Sequence, residues 1–268
     1  MDDTHHLIWN GDPILLHLGP LAIRWYGLCF ALAILLAYEL GKRVLEGEGW
    51  SRESVDSYLG YVVVGTIVGA RLGHCLFYEP GYYLSHPLEI LFIWKGGLAS
   101  HGGAAGILLA TWFFVRKHHY PYLMLADRVA LISPVAATFI RVGNFFNSEI
   151  IGHPSNVPWA IVFERVDRLS RHPTQLYEAA FYAVTAFFMV WLYRNTEAGK
   201  RPGVLLGTVL VVIFGFRFLI EFLKENQTPF EARLPLDLGQ LLSIPAVAIG
   251  IWLILRARRR PLAVVPAA

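Results

Sequence analysis

The chain has 268 residues, of which 55% are apolar, 14% aromatic and only 16% charged, with a formal charge of +3 and a mean hydropathy of +0.47. Soluble domains carry about a quarter charged residues, so this composition argues against a soluble enzyme and for a chain that crosses a lipid bilayer several times. The basic tail at Arg256–Arg260 suits the anionic inner leaflet better than a nucleic acid.

Seven apolar runs are long enough to span, at about 19–41, 55–77, 88–115, 123–146, 174–193, 203–223 and 237–255. They predict an all-α, polytopic membrane protein with seven transmembrane helices, forming a single domain over residues 1–268. No Lys or Arg precedes Arg24 and no small-residue cleavage site follows a short apolar core, so the first run reads as a retained span. Short cytoplasmic loops keep positive charge. One side collects Lys42, Arg43, Arg52, Arg116, Lys117, Arg194, Lys200, Arg201 and the tail arginines, against Arg165, Arg168, Arg171, Lys224 and Arg233 on the other. This bias predicts an N-terminus outside and a C-terminus in the cytoplasm.

Six further cations, Arg24, Arg71, Lys95, Arg128, Arg141 and Arg217, fall in or at the edge of the runs. Charge there is costly unless it is paired or used, so function is sought among them. The first run opens with Ile23-Arg24-Trp25-Tyr26-Gly27, whose aromatics are either interfacial anchors or ligands for a polar headgroup. Gly65, Gly69 and Gly73 on the second run, with Gly102 and Gly106 on the third, allow close helix approach or leave room for a lipid chain. The third run also holds Ser100-His101-Gly102-Gly103. His101 there is either a packing residue or an accessible general base.

The fourth run ends in Arg141-Val-Gly-Asn144-Phe-Phe-Asn147-Ser-Glu149, a cation, two carboxamides and a carboxylate near the outer face. On a continued helix Arg141, Asn144 and Asn147 share one side, which suits a phosphate receptor, or Arg141 simply pairs with Glu149 or another acid. The following polar stretch, 147–172, predicts a small outer cap, with Trp159–Phe163 alternating as a short strand does. The fifth run opens with His172-Pro-Thr-Gln175-Leu-Tyr177-Glu178, more polar than helix capping requires. On the sixth, Arg217 and Glu221 stand four residues apart and either neutralise each other or bring a second arginine to a phosphodiester. Neither metal-ligand spacing nor a Gly-x-Ser-x-Gly motif occurs, Cys29 and Cys75 have no spaced partner, and no cofactor is expected.

Taken together, Arg24-Trp-Tyr-Gly27, Gly69-Ala-Arg-Leu-Gly73, Ser100-His-Gly-Gly103, Arg141 to Glu149 with Gly152, His172 to Glu178, Arg217-Phe-Leu-Ile-Glu221 and Gly239-Gln240 resemble bacterial prolipoprotein diacylglyceryl transferases, in order and over nearly the whole chain. The resemblance implies an inner-membrane enzyme with a periplasmic N-terminus, cap and active site. It would move the diacylglyceryl group of phosphatidylglycerol to the lipobox cysteine of a prolipoprotein signal peptide, forming a thioether and releasing glycerol phosphate. It also implies roles for Tyr26, His101, Arg141, Asn144, Glu149, Gly152, Arg217 and Glu221. Catalysis is thereby expected from His101, Arg141, Arg217 and Tyr26, and substrate binding from Asn144, Asn147, Glu149, Gly152, Gln175, Tyr177 and Glu221 beside the arginines. Ile140 and Ser148 stand where the family usually has glycine. The competing reading is a transporter whose arginine pair holds an anionic headgroup without chemistry.

Overall fold

A computed structural model describes residues 6–19, 21–93, 96–225 and 236–262; Lys95 and Arg233, counted among the cations above, lie outside them. The described residues form two compact units, one from 6–37 and 129–262 and the other from 38–128.

In the first unit, β2 (Ile14–Leu18) and β3 (Leu21–Arg24) make an antiparallel hairpin. Helix α1 (Trp25–Gly47), whose part up to Ala37 belongs to this unit, follows at once, with Trp25 N–H donating to Pro13 O at 3.0 Å. The first apolar run is therefore strand before Trp25 and helix well past residue 41, because its opening residues satisfy their backbone groups across a hairpin. Residues 122–147 form α5 (Tyr122–Asn147), whose part from Val129 onward belongs to this unit. The helix ends in two backbone bonds, Ser148 N–H to Phe145 O and Glu149 N–H to Asn144 O, both 3.0 Å. With Ser148 left-handed at φ 56°, this is a Schellman ending without the usual glycine.

The 147–172 stretch contributes β4 (Ile161–Phe163) and β5 (Ser170–Arg171), paired antiparallel, and β1 (Leu7–Trp9) adds to β4 in parallel. Under this sheet Ile151, Ile161 and Phe163 form a core with Trp9, Phe145 and Leu176. Arg171 ties the stretch together by binding Asp167 and Glu225 and donating to Gly152 O. Then come α6 (Thr174–Asn195), α7 (Val204–Ile220) and, after a 3-10 turn at Glu221–Leu223, α8 (Leu238–Arg258). A Cβ at Gly207 or Gly250 would meet the other glycine's carbonyl oxygen at 2.7 Å, so α7 and α8 touch backbone to backbone there.

In the second unit, α2 (Arg52–Phe77) packs on α4 (Ser100–His118) through the glycines singled out above. A Cβ at Gly65 would lie 2.6 Å from Gly106 O, and one at Gly73 would lie 2.7 Å from Gly102 Cα. That face of α2 is filled by its partner helix, which leaves no room between the two for an acyl chain.

The third apolar run does not start as a helix at 88. After α3 (Pro80–Ser85) the chain makes a 3-10 turn at Pro87–Leu91 and bends through Gly96 and Gly97, at φ 90° and 74°, before α4 begins. Arg71 holds this irregular segment by donating to the carbonyls of Glu89, Ile90, Gly96 and Gly97 at 2.5–3.2 Å. A planar fork of donors is what such a turn needs, and it accounts for one of the intramembrane cations. Arg128 is accounted for by Glu48, which it grips through two nitrogens at 2.6 and 3.0 Å.

Among the described residues, five helices are long and apolar enough to cross a membrane: α2, α5, α6, α7 with its 3-10 extension, and α8. Their outward faces carry large apolar side chains such as Val64, Phe187 and Trp252, which lipid accommodates and water does not. This is the architecture of a polytopic membrane protein.

Candidate functional site

Within the first unit, α5, α6 and the end of α7 bring acidic and basic side chains together. Glu178, fully buried on α6, sits at the centre. One of its oxygens lies 3.1 Å from Arg141 Nε, and the other accepts the Tyr182 hydroxyl at 3.0 Å and lies 3.1 Å from Lys224 Nζ. Lys224 also reaches Glu221 at 3.4 Å, and Glu221 reaches Arg217 Nε at 3.4 Å. The result is an alternating chain, Arg141–Glu178–Lys224–Glu221–Arg217. Both arginines are within electrostatic reach of Tyr182 and of Lys224. Their side chains are 13% and 29% exposed while Lys224 is 3% exposed, so the arginines, not the lysine, can meet a ligand.

Local sequence explains each placement. Arg217 and Glu221 are one helical turn apart, and Lys224 caps the 3-10 turn that closes α7. Residue 239 is glycine beside Glu221, and a Cβ there would collide with the carboxylate where it now sits. Gln240 completes a capping box at the start of α8, accepting from Asp237 N–H at 3.2 Å and donating to Phe218 O at 3.3 Å.

A second set surrounds the end of α5. Arg141 Nη1 donates to Asn144 Oδ1 at 3.1 Å, and Asn144 Nδ2 donates to Glu149 Oε2 at 3.2 Å. Asn147 Nδ2 donates to the other Glu149 oxygen at 3.0 Å. Glu149 thus orients Arg141 through Asn144 rather than directly; the direct partner is Glu178. Gln175 Nε2 donates to Glu149 O at 2.6 Å and Thr174 Oγ1 to Ile150 O at 2.8 Å, so the polar opening of α6 clamps the loop. The clamp holds Ser148 and Ile150 at φ 56° and 55° on either side of Glu149. For a β-branched residue this is a real outlier, and such strain persists only where its surroundings enforce it.

Tyr26, in the first turn of α1, lies against Gly143, where a Cβ would come 2.9 Å from its ring, and within electrostatic reach of Glu149 and Arg141. Tyr177 faces elsewhere: its hydroxyl accepts from Trp159 Nε1 at 2.7 Å and lies 3.2 Å from His172 Nδ1, which fastens the 147–172 stretch to α6. Gly152 is buried, its N–H donating to His172 O at 2.9 Å, and a side chain there would strike His172 and Leu223 O. His101 belongs to the second unit, where it is exposed in the first turn of α4; the arginine cluster belongs to the first.

Sequence reasoning missed two members. Lys224 was counted as a loop cation, although it stands three residues beyond Glu221 at a helix end and so within its reach. Glu178 was noted for its polarity alone, since its pairing with Arg141 and Lys224 is non-local.

The family model for prolipoprotein diacylglyceryl transferase matches residues 13–256. The chain belongs to that family. A phosphatidylglycerol–prolipoprotein diacylglyceryl transferase of Tolumonas auensis is 51% identical over 250 residues, covering 93% of this chain and 96% of the relative. Its counterpart in Chloroherpeton thalassium is 47% identical over 258 residues, covering 96% of each. One from Bacteroides fragilis is 44% identical over 256 residues, covering 91% of this chain and 92% of the relative. In this member of the family, the cluster built on Arg141, Glu178 and Arg217 combines partly accessible guanidiniums with buried carboxylate anchors.

Proposed function

We propose that this protein transfers the diacylglyceryl group of phosphatidylglycerol to the thiol of the lipobox cysteine of a prolipoprotein, the first step of bacterial lipoprotein maturation. The observation that supports this reading is the alternating chain from Arg141 to Arg217. Its buried carboxylates fix two partly exposed guanidiniums, which in this reading take the phosphodiester between them.

In this reading the cysteine sulfur attacks the glyceryl carbon that carries the phosphate. The C–O bond breaks, its electron pair leaves with the phosphate, and glycerol phosphate departs while a thioether remains. Arg141 and Arg217 neutralise charge as it grows on the leaving oxygens, where one well-placed donor is worth about 10²–10³ in rate. The thiol, with an ordinary pKa of about 8.5, must lose its proton, and His101 is the proposed acceptor. Asn144 and Asn147 hold Glu149, Glu149 and Glu178 aim Arg141, Glu221 aims Arg217, and Tyr26 contacts headgroup or peptide. Gln175, Tyr177 and Gly152 shape the loop that the signal peptide meets.

The same proposal has seven spans in the bacterial inner membrane, the N-terminus and the 147–172 cap toward the periplasm, and the C-terminus in the cytoplasm. The test is to incubate purified protein with phosphatidylglycerol and a lipobox peptide and weigh the products. A peptide heavier by one diacylglyceryl group, with one glycerol phosphate released per peptide, is expected. Lipid movement without a covalent product would favour the transporter reading.

A further inference from the structure

Arg24, the intramembrane-edge cation that neither a helix pairing nor the reaction absorbs, lines an open cleft on the first unit with Asn10, Asp12, Pro13, Ile14 and Arg165. Among the described residues neither Arg24 nor Arg165 has an ion-pair partner, and both are exposed. Asp12 is already engaged, its Oδ1 accepting from Ile14 N–H at 2.8 Å. The cleft therefore presents two free guanidiniums against one carboxylate that is turned to its own backbone.

The rim is apolar. Leu15 and Leu16 on β2 are 37% and 40% exposed, and Leu7 and Ile8 on β1 are 60% and 65% exposed. Exposed aliphatics beside unpaired arginines match the two halves of an anionic phospholipid, acyl chains and phosphodiester. Aromatic contacts link β1 and the residue after Arg24 to the end of α5. Trp25, next to Arg24, stacks on Phe146 at 4.8 Å, and Trp9 meets Phe145 and Phe146 at 4.5 and 5.7 Å between ring centroids. Phe145 and Phe146 lie between Asn144 and Asn147, the residues that hold Glu149.

We propose that the Arg24–Arg165 cleft is a docking site for the headgroup of an anionic phospholipid, distinct from the Arg141–Arg217 cluster and placed to hand the lipid to it along the Trp9–Phe146–Trp25 contacts. For its lipid the proposal rests on the transferase reading above. Arg24 and Arg165 capture phosphatidylglycerol at the bilayer surface and take no part in bond breaking, so losing them changes substrate capture and leaves turnover intact.

The experiment uses the full chain in mixed micelles, with the mole fraction of phosphatidylglycerol varied at saturating lipobox peptide. In the double variant Arg24→Gln/Arg165→Gln the half-saturating mole fraction is expected to rise about tenfold at unchanged kcat, with Arg24→Lys/Arg165→Lys in between. The purified variant should also retain less phosphatidylglycerol, relative to phosphatidylcholine, than the unaltered protein when both are weighed intact. Should the double variant unfold, the single glutamine variants carry the same comparison. An unchanged half-saturation in a folded variant overturns the proposal. So does a variant in which only inhibition by free glycerol phosphate weakens, since the cleft would then hold a soluble phosphate monoester. If the unaltered protein makes no thioether yet its lipid retention still depends on the two arginines, the docking site stands and the transferase reading falls.

Discussion

Replacing Glu178 by Gln removes the central anion of the cluster and little of its volume. The carboxylate holds Arg141 and Lys224, both at 3.1 Å, and accepts from Tyr182 at 3.0 Å, with no exposure of its own. Removing one member of a buried ion pair costs about 3–5 kcal/mol, because the remaining charge stays buried without compensation. The amide keeps an oxygen for Tyr182, which puts the loss near the lower end, about 3 kcal/mol. At about 2–4 °C per kcal/mol for a domain of this size, the thermal midpoint should fall by about 6–12 °C. Turnover should fall further, about 100-fold, because an unanchored Arg141 no longer sits where the phosphate needs it. Glu221→Gln is the internal comparison: its arginine is 29% exposed and its contacts are at 3.4 Å, so water offsets most of the loss and about 1 kcal/mol is expected. The assay is a thermal unfolding scan in detergent beside steady-state transfer to a lipobox peptide. A Glu178→Gln protein with an unchanged midpoint and near-normal turnover, or one less affected than Glu221→Gln, would show that Glu178 does not anchor Arg141.

Ser148→Gly should stabilise the protein by about 0.5–1 kcal/mol, since glycine adopts φ 56° freely and the buried Ser148 hydroxyl has no hydrogen-bond partner to lose; a lowered thermal midpoint would contradict this. Gly73→Ala should cost about 1–3 kcal/mol by forcing α2 off α4, whereas Gly60→Ala, with nothing within 4 Å, should be neutral or slightly stabilising; equal midpoints for the two would contradict it. In the 147–172 stretch, the hydrogen bonds from Arg171 hold the Asp167 carboxyl below its ordinary range. A depressed folded pKa means the contribution is complete above about pH 4 and is lost as pH falls through the lower folded value. Proteolytic nicking of this stretch should therefore rise below pH 4 in the unaltered protein and be high at neutral pH in Asp167→Asn. Acid-independent nicking would remove that role.

Sequence and structure part company where backbone pairing or a remote contact decides the outcome. Apolar length located the helices well, because nothing else in this chain sustains such runs. It misplaced the start of the first, because residues 21–24 are as apolar as a helix yet pair in a hairpin. It misplaced the third for a related reason: the stretch before α4 is apolar but irregular, and its carbonyls are satisfied by Arg71, some 20 residues away in sequence. At the site, Arg141, Asn144, Glu149, Arg217 and Glu221 were legible because each is a polar residue in an apolar run and each has a partner within one turn or just beyond the helix end. Glu178 as anchor and Lys224 as bridge were not, since what defines them is a neighbour on another helix. The same holds for Gly239, whose role depends on the carboxylate it makes room for.

In the proposed reaction Arg141 and Arg217 together hold the phosphate that leaves. Its most direct test is single-turnover transfer from labelled phosphatidylglycerol to a lipobox peptide by the unaltered protein, Arg141→Gln and Arg217→Gln, with folding checked by thermal midpoint. A thioether product is expected, with its rate of formation lower by about 10²–10³ in each variant. Near-normal transfer by a folded Arg141→Gln protein would contradict it.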